Sequence, residues 1–273
     1  MLAADLIPAL SNHEVTPLTY EQLDICNLSA VIDATRAVKP QAIINCAAYT
    51  KVDACETESE LAYAVNGRAP ANLVTAAAEM SADLLHISTD YVFDGTKNTP
   101  YVEDDIVNPL SVYGKSKLEG EKNVREYDRH YIVRTQWLYG HSGPNFVKTM
   151  LRLASERPEV RVVSDQFGSP TTTHDLAMAI AELITASAYG TYHITNAGHT
   201  SWYEFARDIF ELTKITTPLF PIKTEEYPVL AKRPAFSPLD NRNWLALGKQ
   251  PLRRYKEALR AYLNGYNHSQ TYR

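Results

Sequence analysis

Apolar positions along the chain switch repeatedly between two patterns. Short unbroken apolar runs of strand length alternate with stretches where apolar residues recur every three to four positions. Glu14–Pro17 reads as an early strand, and Ala42–Ala48 as a buried one. Leu61–Met80 is Ala-rich and helical, with a break predicted at Asn66-Gly67. Leu84–Ser88 is the next strand, Ser111–Tyr127 a charged amphipathic helix, and Tyr131–Arg134 a third buried strand. Helix Asn145–Ser155, strand Val160–Val163, helix Thr173–Ser187 and strand Thr191–Thr195 follow. Helix Ser201–Thr213 opens on a capping box, Ser201 with Glu204.

Strand and helix in strict alternation predict the α/β class, a doubly wound parallel sheet of Rossmann-like form. Beyond Thr213 the alternation gives way to loops carrying Pro218, Pro221, Pro228, Pro234 and Pro238, and to two late helices. That shift in composition points to a smaller C-terminal lobe.

Composition narrows the class of partner. With 45% hydrophobic and 22% charged residues among 273, the chain has an ordinary globular balance. No apolar run reaches the ~20 residues of a membrane span. A net charge of -5 argues against a nucleic-acid binder. The charge is uneven: from Pro221 onward ten Lys/Arg face four Asp/Glu, which is either a solvated face or a lobe that helps hold an anionic small molecule. Cys26, Cys46 and Cys55 have no metal-ligand spacing and cannot all pair. That suits a reducing compartment, and with no signal peptide at the start the expected location is the cytoplasm.

The first candidate chemistry is Tyr113-Gly-Lys-Ser-Lys117, a YxxxK on a predicted helix. The i, i+4 spacing puts both side chains on one face. An ammonium one turn from a phenol favours phenolate and makes the pair a candidate acid/base for a carbonyl or alcohol oxygen. Alone the spacing is common. Upstream, however, a strand ends in Ser88-Thr89-Asp90-Tyr91, and ligands of open α/β sheets bind beyond the carboxyl ends of strands. A hydroxyl there completes a Ser/Thr–Tyr–Lys set, although an ST-turn closing the strand would use the same residue.

With NCAAYT, STDYVFDG, YGKSK, RTQWLYG, SDQFGSPT and Arg233-Pro234, the chain resembles the extended short-chain dehydrogenase/reductases, and within them the dTDP-4-dehydrorhamnose reductase family. The resemblance implies reduction of the C4 keto group of dTDP-4-dehydro-L-rhamnose by hydride from NADPH or NADH. It implies Thr89, Tyr113 and Lys117 as the catalytic set, with Tyr113 and Lys117 also touching the cofactor. Asp24, Ala47, Ala48, Tyr49 and Asn66 would line the rest of the cofactor. Asp90, Tyr91, Trp137, Asn145, Gln166 and Arg233 would line the sugar nucleotide. Residues 1–144 and about 172–195 would form the dinucleotide-binding domain, and 145–171 with 196–273 the substrate lobe. Family members can use magnesium, though no acidic pair here marks a metal site, and a homodimer is compatible with the family.

Two departures from the family stand out. Its glycine fingerprint GxxGxxG and opening strand are not seen, and Met1–Leu6 resembles only the fingerprint's tail. An upstream start, or a truncated product, is the expectation this raises. Thr16, Pro17, Leu18, Thr19 and Tyr20 include neither the acid of NAD users nor the arginine of NADP users. Two other readings share the motifs: a different nucleotide-sugar reductase or epimerase, and a non-catalytic binding subunit of the same fold.

Overall fold

Four of the apolar runs pair into one parallel sheet, β1 (Ala42–Asn45), β2 (Asp83–Thr89), β3 (His130–Thr135) and β4 (Gly190–His193), in that spatial order. The computed structural model showing this describes residues 1–270. Ala42 lies opposite Asp83, Leu84 opposite His130 and Tyr131 opposite Gly190, so all four carboxyl ends emerge together. The longer helices, of eight residues or more, are in chain order α1 (Leu2–Ala9), α2 (Leu28–Val38), α3 (Ala69–Met80), α4 (Val112–Arg125), α5 (Phe146–Glu156), α6 (Thr173–Leu183), α7 (Trp202–Thr213) and α8 (Tyr255–Gln270).

Side chains alternate across each strand, and both faces are covered. Leu85, Tyr131 and Val133 meet Leu2 and Leu6 of α1 and Leu176, Ile180 and Leu183 of α6. Leu84 and Ile132 point the other way, onto Val31 of α2, Leu73 and Ala77 of α3, and Val124 of α4. Double burial is why these strands read as continuous apolar runs rather than alternating ones. A second core, with Tyr139, Val147, Phe205, Ile209 and Leu259, binds α5, α7 and α8 together.

Three expectations change in detail. Glu14–Pro17 forms no strand: of its four residues only Val15 is partly buried, and Pro17 has no N–H to give a ladder. Val160–Val163 is a strand but does not join the main sheet; it pairs in parallel with Leu219–Ile222 beside the second core. At Asn66-Gly67 the helix does not break but widens into a π-helical turn, Tyr63–Arg68, that turns Asn66 inward and runs on into α3. Among the described residues β1 and β4 are the two edges of the sheet. No described helix is long and apolar enough to cross a membrane, and all three cysteines are free.

Candidate active site

The polarity of the β2 face toward α4 changes along the strand. After apolar Leu84 the same pleat presents His86 and then Ser88, and on β3 Ile132 is followed by Arg134. All three polar side chains are buried, and α4 meets them with Lys117 and Glu121. The carboxyl end of the sheet is therefore polar inside and buried.

At the end of β2 the chain turns through a short 3-10 segment, Asp90–Val92. The Thr89 hydroxyl accepts the Tyr91 N–H at 3.2 Å and donates to Asp90 Oδ1 at 3.0 Å. Ser237, from the C-terminal segment, donates to Asp90 Oδ2 at 2.6 Å. Burial pushes the Asp90 carboxyl up to about 6, against these hydrogen bonds.

Helix α4 starts at the Ser111 cap, whose hydroxyl accepts the Gly114 N–H at 3.2 Å. Tyr113, in its first turn, stands edge-on to Tyr91 at 5.4 Å between ring centres and touches buried Cys55 and Ala62. Its phenol is within hydrogen-bonding reach of Thr89. Burial raises the Tyr113 pKa well above the usual tyrosine value, outweighing the Thr89 hydrogen bond, so near neutrality the group is a phenol with a proton to give. Lys117 is 2% exposed; Nζ donates to the Ile87 carbonyl at 2.6 Å and lies 3.3 Å from His86 Nε2. Burial lowers it to about 8, with Glu121 and Cys46 pulling the other way.

The approach of α4 to β2 depends on Gly114. A Cβ there would overlap the Tyr91 carbonyl oxygen and come within 2.9 Å of Pro109. Gly114→Ala should therefore destabilise by about 1–3 kcal/mol through overpacking, against the ~1 kcal/mol alanine gains in a helix. A lower urea midpoint checks this, and an unchanged or higher midpoint would contradict it.

Two clefts open among the described residues. One, of about 350 Å³, is lined by Phe167, His199, Ser201, Glu204 and Phe236, and the other, of about 380 Å³, by Asp53 and Pro228–Leu230. Between β2's end and the second cleft, Arg233 donates to Asp53 Oδ2 at 2.8 Å while its Nε is buried without a partner.

Comparison with known proteins reads this arrangement. The family model described as RmlD substrate binding domain matches residues 1–268. The chain belongs to that family. It is 45% identical over 275 residues to a dTDP-4-dehydrorhamnose reductase of Aggregatibacter actinomycetemcomitans, covering 95% of this chain and 94% of that one. A solved dTDP-4-dehydrorhamnose reductase of Clostridium acetobutylicum superposes with TM-score 0.95 at 45% identity, covering 97% of this chain and 96% of the other. One from Bacillus anthracis, solved in complex with NADP, gives TM-score 0.91 at 40% identity, with 95% of each chain covered.

Within this RmlD-family fold the sequence-derived residues fall into two groups. Thr89, Asp90 and Tyr91 are bonded within one turn, Tyr113 stands edge-on to Tyr91, and Lys117 lies one turn along α4. Several others hold local structure. Asn145 caps α5 through the Lys148 N–H and donates to the Gly140 carbonyl. Gln166 donates to Thr224 at 3.0 Å, and Asp24 accepts the Cys26 N–H in an exposed turn. Asn66 clamps Tyr49 by accepting its N–H and donating to its carbonyl, and also donates to Ser116. The Tyr49 hydroxyl donates to Glu58, and beyond β1 Ala47 is exposed and Ala48 half-buried. Trp137 has a left-handed φ of 49° and stacks on Trp202 with ring centres 3.4 Å apart.

Sequence reasoning missed His86, Ser237, Asp53 and Trp202. His86 was legible in principle, since Leu84, His86 and Ser88 share one pleat facing the YxxxK helix. The other three come from distant segments and carry no local signal. Among the described residues no group of three or more His, Cys, Asp or Glu side chains is placed to hold a metal ion.

Proposed function

We propose that the protein reduces the C4 keto group of dTDP-4-dehydro-L-rhamnose, with NADPH or NADH, to dTDP-L-rhamnose. The observation that carries this is the Thr89–Tyr113 pair at the carboxyl end of β2, with Lys117 one turn further along α4. Its support from relatives is the name dTDP-4-dehydrorhamnose reductase, shared by proteins similar over nearly the whole chain.

The residues present suit a nicotinamide cofactor. Small Ala47 and Ala48 follow β1, so a planar or phosphate group could approach the backbone there. Lys117 Nζ, with one hydrogen bond given to Ile87, has further capacity for a ribose hydroxyl. When bound, the reduced nicotinamide supplies hydride. The Thr89 hydroxyl, freed from Asp90, donates to the substrate's C4 oxygen and fixes its position. Tyr113 then gives its phenolic proton to that oxygen as negative charge develops on it. Residues 1–144 with about 172–195 hold the cofactor in this reading, and 145–171 with 196–273 close over the sugar nucleotide. Arg233, with its unpartnered Nε, holds the diphosphate. Asp90, Tyr91 and Trp137 face the sugar, while Asn145 and Gln166 support the wall through the local bonds described above.

The deciding experiment is a nicotinamide absorbance assay with dTDP-4-dehydro-L-rhamnose. Oxidation dependent on that sugar supports the reading, and none with either nicotinamide rejects it. Arg233→Ala should raise KM for the nucleotide sugar roughly tenfold or more, the worth of one charged hydrogen bond of about 1.5–3 kcal/mol. Use of a free 4-keto sugar should be poor and unaffected by that change. Equal use of free and nucleotide-linked sugar would remove Arg233 from the site.

A further inference from the structure

Trp137 follows β3 by two residues and holds a left-handed φ of 49°, a backbone conformation that a bulky side chain rarely adopts. Such a conformation persists where the surroundings fix it from several sides. The Trp137 carbonyl accepts the Thr171 N–H at 3.3 Å. The Nε1 edge of its half-buried indole lies against Gly168, where a Cβ would overlap the ring and come within 2.6 Å of Nε1. One face of the ring lies on Trp202, with centres 3.4 Å apart and planes 8° from parallel.

Trp202 reaches that place by local rules. Phe167–Gly168 pairs antiparallel with Thr200–Ser201. The Ser201 hydroxyl accepts the Glu204 N–H at 3.1 Å and caps α7, so Trp202 is the first helical residue. One short ladder thus sets both the glycine and the second indole against Trp137. Trp202 in turn meets Phe146, at the start of α5, with ring centres 4.5 Å apart, and Phe146 stacks on fully buried Phe205 at 5.6 Å. An aromatic column therefore runs from Trp137 into the second core.

We propose that Trp202 is a positioning residue for recognition of the sugar: it fixes the Trp137 indole before substrate arrives, and it acts through that ring. This rests on the reductase reading above, in which Trp137 faces the sugar. An indole already held in place loses little side-chain freedom when the sugar binds, which raises affinity without any new contact. Gly168 has the complementary part, because a side chain there would push the ring out of its seat.

Proton NMR of the free protein tests the stack. The Trp137 ring signals, assigned by their loss in Trp137→Phe, should be shifted upfield by the ring current of Trp202. In Trp202→Leu they should return toward ordinary indole positions. Steady-state kinetics tests the purpose. Trp202→Leu should raise KM for the nucleotide sugar about 2- to 10-fold, the worth of one aromatic pair, with kcat changed much less. Trp202→Phe, which keeps a stacking ring, should restore most of the loss. In a Trp137→Leu background the Trp202→Leu change should add little, because its effect runs through the missing indole. Trp137 signals at ordinary indole positions in the unaltered chain, or an equal rise in KM with and without that indole, would overturn the proposal. If the unaltered chain oxidises no nicotinamide with this sugar, the proposed function fails, while the ring shifts still decide whether Trp202 holds Trp137.

Discussion

Tyr113→Phe should lower kcat for the nucleotide sugar by 10²-fold or more while leaving KM little changed. The substitution removes one oxygen and one proton. The ring keeps its edge contact with Tyr91 and its seat against Cys55 and Ala62, so the walls of the site stay in place. What is lost is proton donation as charge develops on the C4 oxygen, an interaction made in the transition state rather than the ground state. General acids contribute typically about 10²–10⁴-fold. Thr89 still donates to that oxygen, so residual turnover above background is expected. Because burial raises the Tyr113 pKa, the unaltered enzyme should retain its proton donor past the ordinary tyrosine value of ~10. Single-turnover kinetics of hydride transfer is the measurement. Turnover like that of the unaltered enzyme would take Tyr113 out of the acid's role.

The Tyr113 environment also shows where sequence reasoning stops. The i, i+4 spacing correctly places Tyr113 and Lys117 on one helix, and the strand-end rule correctly brings Thr89 beside it. From spacing alone the lysine should depress the tyrosine. In the fold burial dominates both groups, and Lys117 turns toward Ile87 and His86. Burial is a property of the assembled layers, which no local pattern reports.

The same limit explains the elements. Runs covered on both faces, such as Leu84–Ser88 and Tyr131–Arg134, were legible because their apolar continuity is a consequence of that cover. Val160–Val163 was legible as a strand but not as a partner of Leu219–Ile222, since pairing is set by the register of a distant segment. Glu14–Pro17 misled because one apolar side chain, Val15, packs on the core without a ladder. Arg233 and Ser237 reach the site from a proline-rich segment with no periodicity to read.

Glu121→Leu should be the most destabilising single change among those considered, by about 3–5 kcal/mol. Glu121 is fully buried and collects four charged or polar hydrogen bonds: Arg134 Nε at 2.9 Å and Nη2 at 2.7 Å, Arg125 at 2.8 Å and Ser88 at 2.5 Å. Arg134 is itself 1% exposed, with the Phe93 ring beneath its guanidinium at 5.1 Å. Leucine would strand that charge in the core, and against a total stability of about 5–15 kcal/mol the loss is large. Glu121→Leu combined with Arg134→Met should recover much of it, because the penalty comes from the unpaired charge rather than from loss of attraction. Acid should reproduce part of the effect in the unaltered chain. Burial pushes the Glu121 carboxyl up, but the charge and hydrogen bonds of Arg134, then Arg125 and Ser88, outweigh it and hold the folded value below 4.5. Its contribution is therefore complete above the unfolded value and lost as pH falls through the lower, folded one. Urea unfolding across that acid range should show stability declining in the unaltered chain, with a shallower decline in the double variant. A single variant as stable as the double would mean that Arg134 finds other partners, and the buried pair would not organise the polar end of this sheet.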